Sequence, residues 1–111
     1  MSIKDFSKKK CISLIDKLSL MDDNMISESM KVLDGWLYES GYITKEFKFA
    51  NYDETLAFFN STAWISKIED HHPDILITYN TCKVSYKTHA IDGISENDFI
   101  CASKIDKLIT M

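Results

Sequence analysis

Apolar residues recur along the chain with two periods, and the switches between them predict alternating helices and strands. Cys11, Leu14, Ile15 and Leu18 fall at i, i+3, i+4 and i+7, the spacing of a helix face. Met21-Asp22-Asp23-Asn24 reads as a loop, and Ser27 as the N-cap of a short helix carrying Met30 and Leu33. Residues 1–26 are expected to form a loosely packed helical extension ahead of a domain over 27–111. Residues 35–39 and 43–49 read as strands joined by the turn residues Ser40-Gly41. In the second strand Ile43, Phe47 and Phe49 oppose Thr44, Glu46 and Lys48, and Lys45 breaks the alternation. Asn51 caps the main helix, with Glu54 at the return position of a capping box. Its stripe of Leu56, Phe59 and Ala63, flanked by Ala57, Trp64 and Ile68 and widened by Phe58 and Ile65, is broader than one sheet requires. Either another subunit or extra core packing accounts for the excess. Pro73 is expected to end this helix, because it disfavours helical geometry at His72.

The periodicity then returns to strands. Residues 75–79 and 82–88 pair around Asn80-Thr81, and in the second run Cys82, Val84, Tyr86 and Thr88 alternate with Lys83, Ser85 and Lys87. Continued alternation points His89 to the polar side. Ser95 and Asp98 have capping-box spacing, Ile94 and Phe99 hold the two positions of a hydrophobic staple, and Ala102, Ile105 and Ile109 continue a buried face. The order helix, two strands, helix, two strands, helix predicts an α+β fold: a four-stranded antiparallel sheet with three helices packed on one face, plus the N-terminal helical extension.

Composition narrows the function. The chain has 111 residues, 45% of them apolar, which allows one domain with a real core. Its net charge of −4 argues against direct nucleic-acid binding, and Lys8-Lys9-Lys10 reads as a solvated face. No apolar run approaches the ~20 residues of a membrane span. Residues 12–17 are interrupted by charge and lack a small-residue cleavage site, so no secretory signal is expected. Three widely spaced cysteines, Cys11, Cys82 and Cys101, form no CxxC; reduced thiols in the cytoplasm are expected.

The candidate chemistry lies in the histidines. There are only three, in two short polar spots: Glu69-Asp70-His71-His72-Pro73 and Thr88-His89. Imidazole is the side chain that takes and gives a proton near neutral pH. The C-terminal end of the main helix, with Glu69 and Asp70, favours imidazolium at His71 and His72. His71 falls within the stripe of Leu56, Ala63 and Trp64, so it should lean toward the sheet. If the two spots meet, three imidazoles and aromatic walls make a pocket for a planar, nitrogen-rich substrate. Other readings stand beside this one. A histidine pair at a helix end is most often a surface pair. Three histidines with Asp70 or Asp74 are a zinc donor set, although adjacent histidines point in different directions. Capping alone explains Asp98, and Trp36 and Trp64 are more often core than substrate platform. No Ser or Cys lies in a nucleophile motif.

Glu69-Asp70-His71-His72-Pro73, Tyr79-Asn80, Thr88-His89, Gly93-Ile94-Ser95-Glu96-Asn97-Asp98 and Ala102, in this order, resemble the pterin-4a-carbinolamine dehydratases. Gly35-Trp36, Phe47-Lys48-Phe49 and Asn51-Tyr52-Asp53-Glu54 fit the same register, which covers about residues 27–109. The resemblance implies three helices against a four-stranded antiparallel sheet. It also implies dehydration of 4a-hydroxytetrahydropterin, the by-product of pterin-dependent aromatic amino-acid hydroxylases, to quinonoid dihydropterin. The essential histidines carry over to His71, His72 and His89. Asp70, Pro73, Thr88, Ala90, Asp98 and Trp36 are implied at the substrate, with orienting an imidazole as the alternative role of Asp98. Implied too are a homodimer or homotetramer and no metal or cofactor. Some relatives also act as dimerisation cofactors for a homeodomain transcription factor, so a non-catalytic pterin-binding or interaction role is the alternative. Many members carry a glutamate one turn before the first histidine. Here that position is Lys67, with Glu69 as the candidate substitute.

Overall fold

The structure, a computed structural model, describes residues 5–13 and 18–109. After a 3₁₀ turn at Phe6–Lys8 come α1 (Asp23–Met30), β1 (Leu37–Glu39), β2 (Tyr42–Lys48), α2 (Tyr52–Glu69), β3 (Asp74–Ile77) and β4 (Thr81–Tyr86). A second 3₁₀ turn, His89–Ile91, precedes α3 (Glu96–Lys107). The strands form one antiparallel sheet in the order β1-β2-β4-β3. The expected α+β fold, three helices and a four-stranded antiparallel sheet, is what the chain adopts.

Local chemistry explains the junctions. Ser40 and Gly41 both have positive φ, 53° and 81°, as a two-residue turn between twisted strands requires. The Asn51 side chain accepts from the Glu54 N–H, while the Glu54 carboxylate reaches the Ala50 N–H rather than that of Asn51. At α3 the capping box is complete: the Ser95 hydroxyl accepts from the helix's first turn, and Asp98 Oδ2 accepts the Ser95 N–H at 2.9 Å. The staple residues Ile94 and Phe99 are both buried.

Ile43, Phe47, Cys82, Val84 and Tyr86 line the inner sheet face and meet Phe58 of α2 and Phe99, Ile100 and Ile105 of α3. Lys45 is on this face as well, which is why it breaks the pattern. Its ammonium lies 5.0 Å from the Phe47 ring centroid and 3.0 Å from Asp106 Oδ1, and it donates to the Asp34 carbonyl at 2.8 Å. Asp106 also accepts the Trp36 indole N–H, so a buried tryptophan and an inward lysine share one carboxylate.

Several expectations are corrected. Of the helix expected from the spacing of Cys11, Leu14, Ile15 and Leu18, the described parts, residues 11–13 and 18–20, are irregular, and Leu14 and Ile15 lie outside the described residues. Against the expected loose packing of the N-terminal segment, Phe6 is 1% exposed and stacks on Phe99 with ring centroids 5.5 Å apart. Asp22 rather than Ser27 caps α1, accepting the Met25 N–H at 2.8 Å, so the stretch read as a loop opens the helix. Ile109 lies past the end of α3 and is exposed. The largest correction concerns α2. Its inward face is Thr55, Phe58, Thr62, Ser66 and Glu69, while Trp64 and Ile68 are 63% and 64% exposed. Thr55, Thr62 and Ser66 can be buried because each hydroxyl donates to a carbonyl of its own helix.

Glu69 is the most consequential of these inward residues. Its side chain is 3% exposed and accepts from the Cys11 N–H at 2.8 Å and the Lys104 ammonium at 2.7 Å. Burial alone raises its pKa, but the Cys11 N–H and Lys104 outweigh burial and hold the carboxyl below the usual range. A group depressed in the folded state contributes stability above its unfolded value and loses it as pH falls through the folded value. Glu69→Gln is therefore expected to destabilise the protein near pH 7 and to differ less from wild type near pH 3. Urea unfolding of both proteins at the two pH values checks this.

Candidate active site

The site begins where α2 stops. The helix ends at Glu69, before Pro73 can act, because Asp70 takes the left-handed conformation (φ 51°, ψ 45°). Aspartate tolerates that region, and its N–H bonds back to the Ser66 carbonyl. The reversal aims the next residue inward, so His71 reaches the sheet through this turn. It does not get there on the stripe of Leu56, Ala63 and Trp64, which faces away.

His71 lies flat on Tyr86, with centroids 5.7 Å apart and planes 6° apart. Its Nε2 is 2.7 Å from Asp98 Oδ1. Asp98 is fully buried, and its Oδ2 accepts from the Thr88 hydroxyl at 2.8 Å and from the Ser95 N–H. Thr88 Oγ1 and Ser95 Oγ are 2.6 Å apart. One carboxylate thus caps α3 with one oxygen and orients an imidazole with the other. A carboxylate only accepts, so His71 donates from Nε2 and keeps Nδ1 for another partner.

A cleft of about 500 Å³ opens beside His71. Asp70 and His72 line it from the end of α2, Thr88, His89 and Ala90 from the turn after β4, and Ile12 with Leu18 from the N-terminal segment. The three histidines therefore meet in one cleft. His72 and His89 are exposed at its rim, and Tyr42 meets the His89 ring edge-on at 6.2 Å. The Asp74 carboxylate beside Tyr42 holds its phenol pKa above the ordinary value. Lys87, also on the rim, pairs with Asp92 at 2.6 Å, which lifts the lysine above and draws the aspartate below their usual ranges.

Other sequence expectations fall elsewhere. Pro73 lines a separate groove of about 470 Å³ between α2 and β3, which His72 and Asp70 also border. Trp36 is in the core, with its ring centroid 6.3 Å from that of Tyr86. Thr88 lines the cleft, but its hydroxyl is committed to Asp98 and Ser95. Glu69 does not substitute at an imidazole; that task belongs to Asp98. Lys67 sits 5.3 Å from the Trp64 ring centroid. Among the described residues, no three His, Cys, Asp or Glu side chains are grouped for a metal.

Sequence reasoning missed Asn97 and the N-terminal wall. Asn97 Oδ1 accepts the Ile12 N–H at 2.9 Å and its Nδ2 donates to the Ile12 carbonyl at 2.8 Å, a two-bond clamp on an irregular segment. No local pattern marks it, since its partner is 85 residues away.

Known proteins share this chain's sequence and fold. The family model described as Pterin 4 alpha carbinolamine dehydratase matches residues 19–108. A Nitrosospira multiformis protein is 51% identical over 107 residues, 96% of this chain and 95% of its own length. A Nitrosomonas eutropha protein is 43% identical over 109 residues, 97% of this chain and 96% of its own. Both carry the name pterin-4-alpha-carbinolamine dehydratase as a provisional assignment. Among solved structures, a transcriptional coactivator/pterin dehydratase from Brucella melitensis matches with a TM-score of 0.77 at 28% identity, covering 81% of this chain and 98% of that one. A pterin dehydratase-like RuBisCO assembly factor of the alpha-carboxysome shares the fold, with a TM-score of 0.55 at 22% identity over 66% of this chain and 84% of its own.

Proposed function

Because the chain belongs to the pterin-4a-carbinolamine dehydratase family, we propose that it dehydrates 4a-hydroxytetrahydrobiopterin to quinonoid dihydropterin and water, in tetrahydrobiopterin recycling. The observation that carries this reading is the meeting of three histidines in one cleft, one of them held by a buried carboxylate.

The 4a-hydroxyl is a poor leaving group unless it is protonated as it departs, and a ring nitrogen must lose a proton. One acid and one base on the same bound ring meet both needs. His71 suits the leaving hydroxyl. Asp98 fixes its ring and tautomer and offsets the charge of the imidazolium that carries the proton, while Nδ1 is left for the substrate. His89, on the turn after β4, takes the ring proton, and His72 shares the rim. Ile12, Leu18 and Ala90 offer apolar surface to the flat pterin. Asp98 acts here as a positioning residue, since it is fully buried behind His71.

The test is turnover of freshly generated 4a-hydroxytetrahydropterin, followed by its ultraviolet change. Dehydration well above the buffer rate supports the enzyme. A stoichiometric pterin complex at the buffer rate supports the non-catalytic reading instead.

Self-association belongs to the same proposal. The exposed Trp64 and Ile68 form an apolar strip along the outer side of α2. A homodimer or homotetramer covers that strip more economically than water does. Trp64→Glu with Ile68→Glu is expected to shift the assembly to monomer in sedimentation velocity, with the melting profile of the fold retained.

A further inference from the structure

Cysteines far apart in sequence give no disulfide pattern, yet the fold brings two of them together. Cys11 Sγ lies 3.6 Å from Cys101 Sγ, across 90 residues of chain. Cys101 is fully buried in α3, Cys11 is half-buried on the N-terminal segment, and Cys82 is buried in β4. The surroundings hold the first two in register. The Cys11 N–H is bound to Glu69, and the next residue, Ile12, is clamped by Asn97 through both its N–H and its carbonyl. The Cys11 thiol also lies 3.7 Å from the Asn97 carbonyl. A disulfide needs the sulfurs about 1.6 Å closer than this. Cys11 sits in irregular backbone, where side-chain rotation and a small shift close such a gap.

We infer that Cys11 and Cys101 are a redox pair that closes to an intramolecular disulfide when a hydroperoxide reaches Cys11, stapling the N-terminal segment to α3. In the first step the Cys11 sulfur attacks a peroxide oxygen. The O–O bond breaks, water leaves with the thiol proton, and Cys11 becomes a sulfenic acid. In the second, the Cys101 sulfur attacks the Cys11 sulfur, the S–O bond breaks, and the hydroxyl leaves as water with the Cys101 proton. Two thiols and one hydrogen peroxide give one disulfide and two waters, a two-electron exchange.

The order follows from placement. Cys11 is the thiol a small oxidant can reach. Hydrogen bonding to Cys11 and burial hold the Cys101 thiol well above the ordinary range, so it is a poor first nucleophile. As the resolving group it has only to attack a sulfur it already touches. Ile12 and Ser13, next along the chain, line the histidine cleft, so the staple fixes one wall of that cleft. The inference does not depend on the dehydratase reading.

The test treats the full chain with hydrogen peroxide, alkylates the remaining thiols after denaturation, and maps the digest by mass. The expected result is loss of two of the three thiols. The Cys11 peptide is joined to the Cys101 peptide, Cys82 is alkylated, the chain stays single on a non-reducing gel, and a dithiol reverses the change. Retention of all three thiols overturns the inference. So does oxidised Cys11 beside fully alkylated Cys101, or a link between two chains. In Cys101→Ala, dimedone is expected to trap a lasting Cys11 sulfenic acid. The wild-type map decides the matter alone if that variant does not fold.

Discussion

Replacing His71 by alanine is expected to lower kcat for dehydration by roughly 10²–10⁴-fold, the range for loss of a positioned general acid or base. The fold should survive. The substitution removes one partner of Asp98 Oδ1, but Asp98 Oδ2 keeps the Ser95 N–H and the Thr88 hydroxyl, so the α3 cap stays closed. Steady-state rates beside a thermal melt separate lost chemistry from lost structure. An unfolded His71→Ala protein would show instead that the imidazole, stacked on Tyr86, is chiefly a packing element.

Asp98→Ala is expected to have the largest effect on stability. It opens the capping box, worth about 0.5–2 kcal/mol. It also leaves the Ser95 N–H and the His71 Nε2 without their buried acceptor, at about 1–3 kcal/mol for each unsatisfied group. These terms are not additive, and a net loss of about 3 kcal/mol is expected, a large share of the 5–15 kcal/mol typical of a domain. Asp98→Asn divides the two duties. Its amide oxygen still serves the cap, so most of the stability remains. Its NH₂ group faces His71 Nε2, which must then accept rather than carry a proton, so the imidazolium that donates from Nδ1 no longer forms. Stability near wild type with kcat reduced by roughly 10²-fold or more is the expected pattern, as for other imidazoles that lose an orienting carboxylate. Urea melts and kinetics on the two variants check it.

Much of this arrangement is legible in the sequence because it rests on local chemistry. Ser95, Asp98, Ile94 and Phe99 announce α3 within six residues, and Ser40-Gly41 announces a hairpin by its turn residues. The histidines stand out because there are only three. The face of α2 is another matter. Apolar residues surround that helix, so spacing alone does not choose a side, and the hydroxyls of Thr55, Thr62 and Ser66 hide inward by bonding their own backbone. Asp98 is half legible. Its cap follows from spacing, while its bond to His71 spans 27 residues and depends on the left-handed turn at Asp70. Glu69 looked like a neighbour for the imidazoles, yet it turns away to hold Cys11 and Lys104. That choice depends on the N-terminal segment crossing α3, and no local pattern encodes the crossing.

Having only three histidines makes the central claim directly measurable. Imidazole resonances of isotope-labelled protein, assigned with single histidine variants, can be followed while a stable dihydropterin is added. The His71 and His89 signals are expected to shift together along one binding isotherm. Pterin binding that leaves both unmoved, or that shifts His72 alone from the groove between α2 and β3, would contradict it.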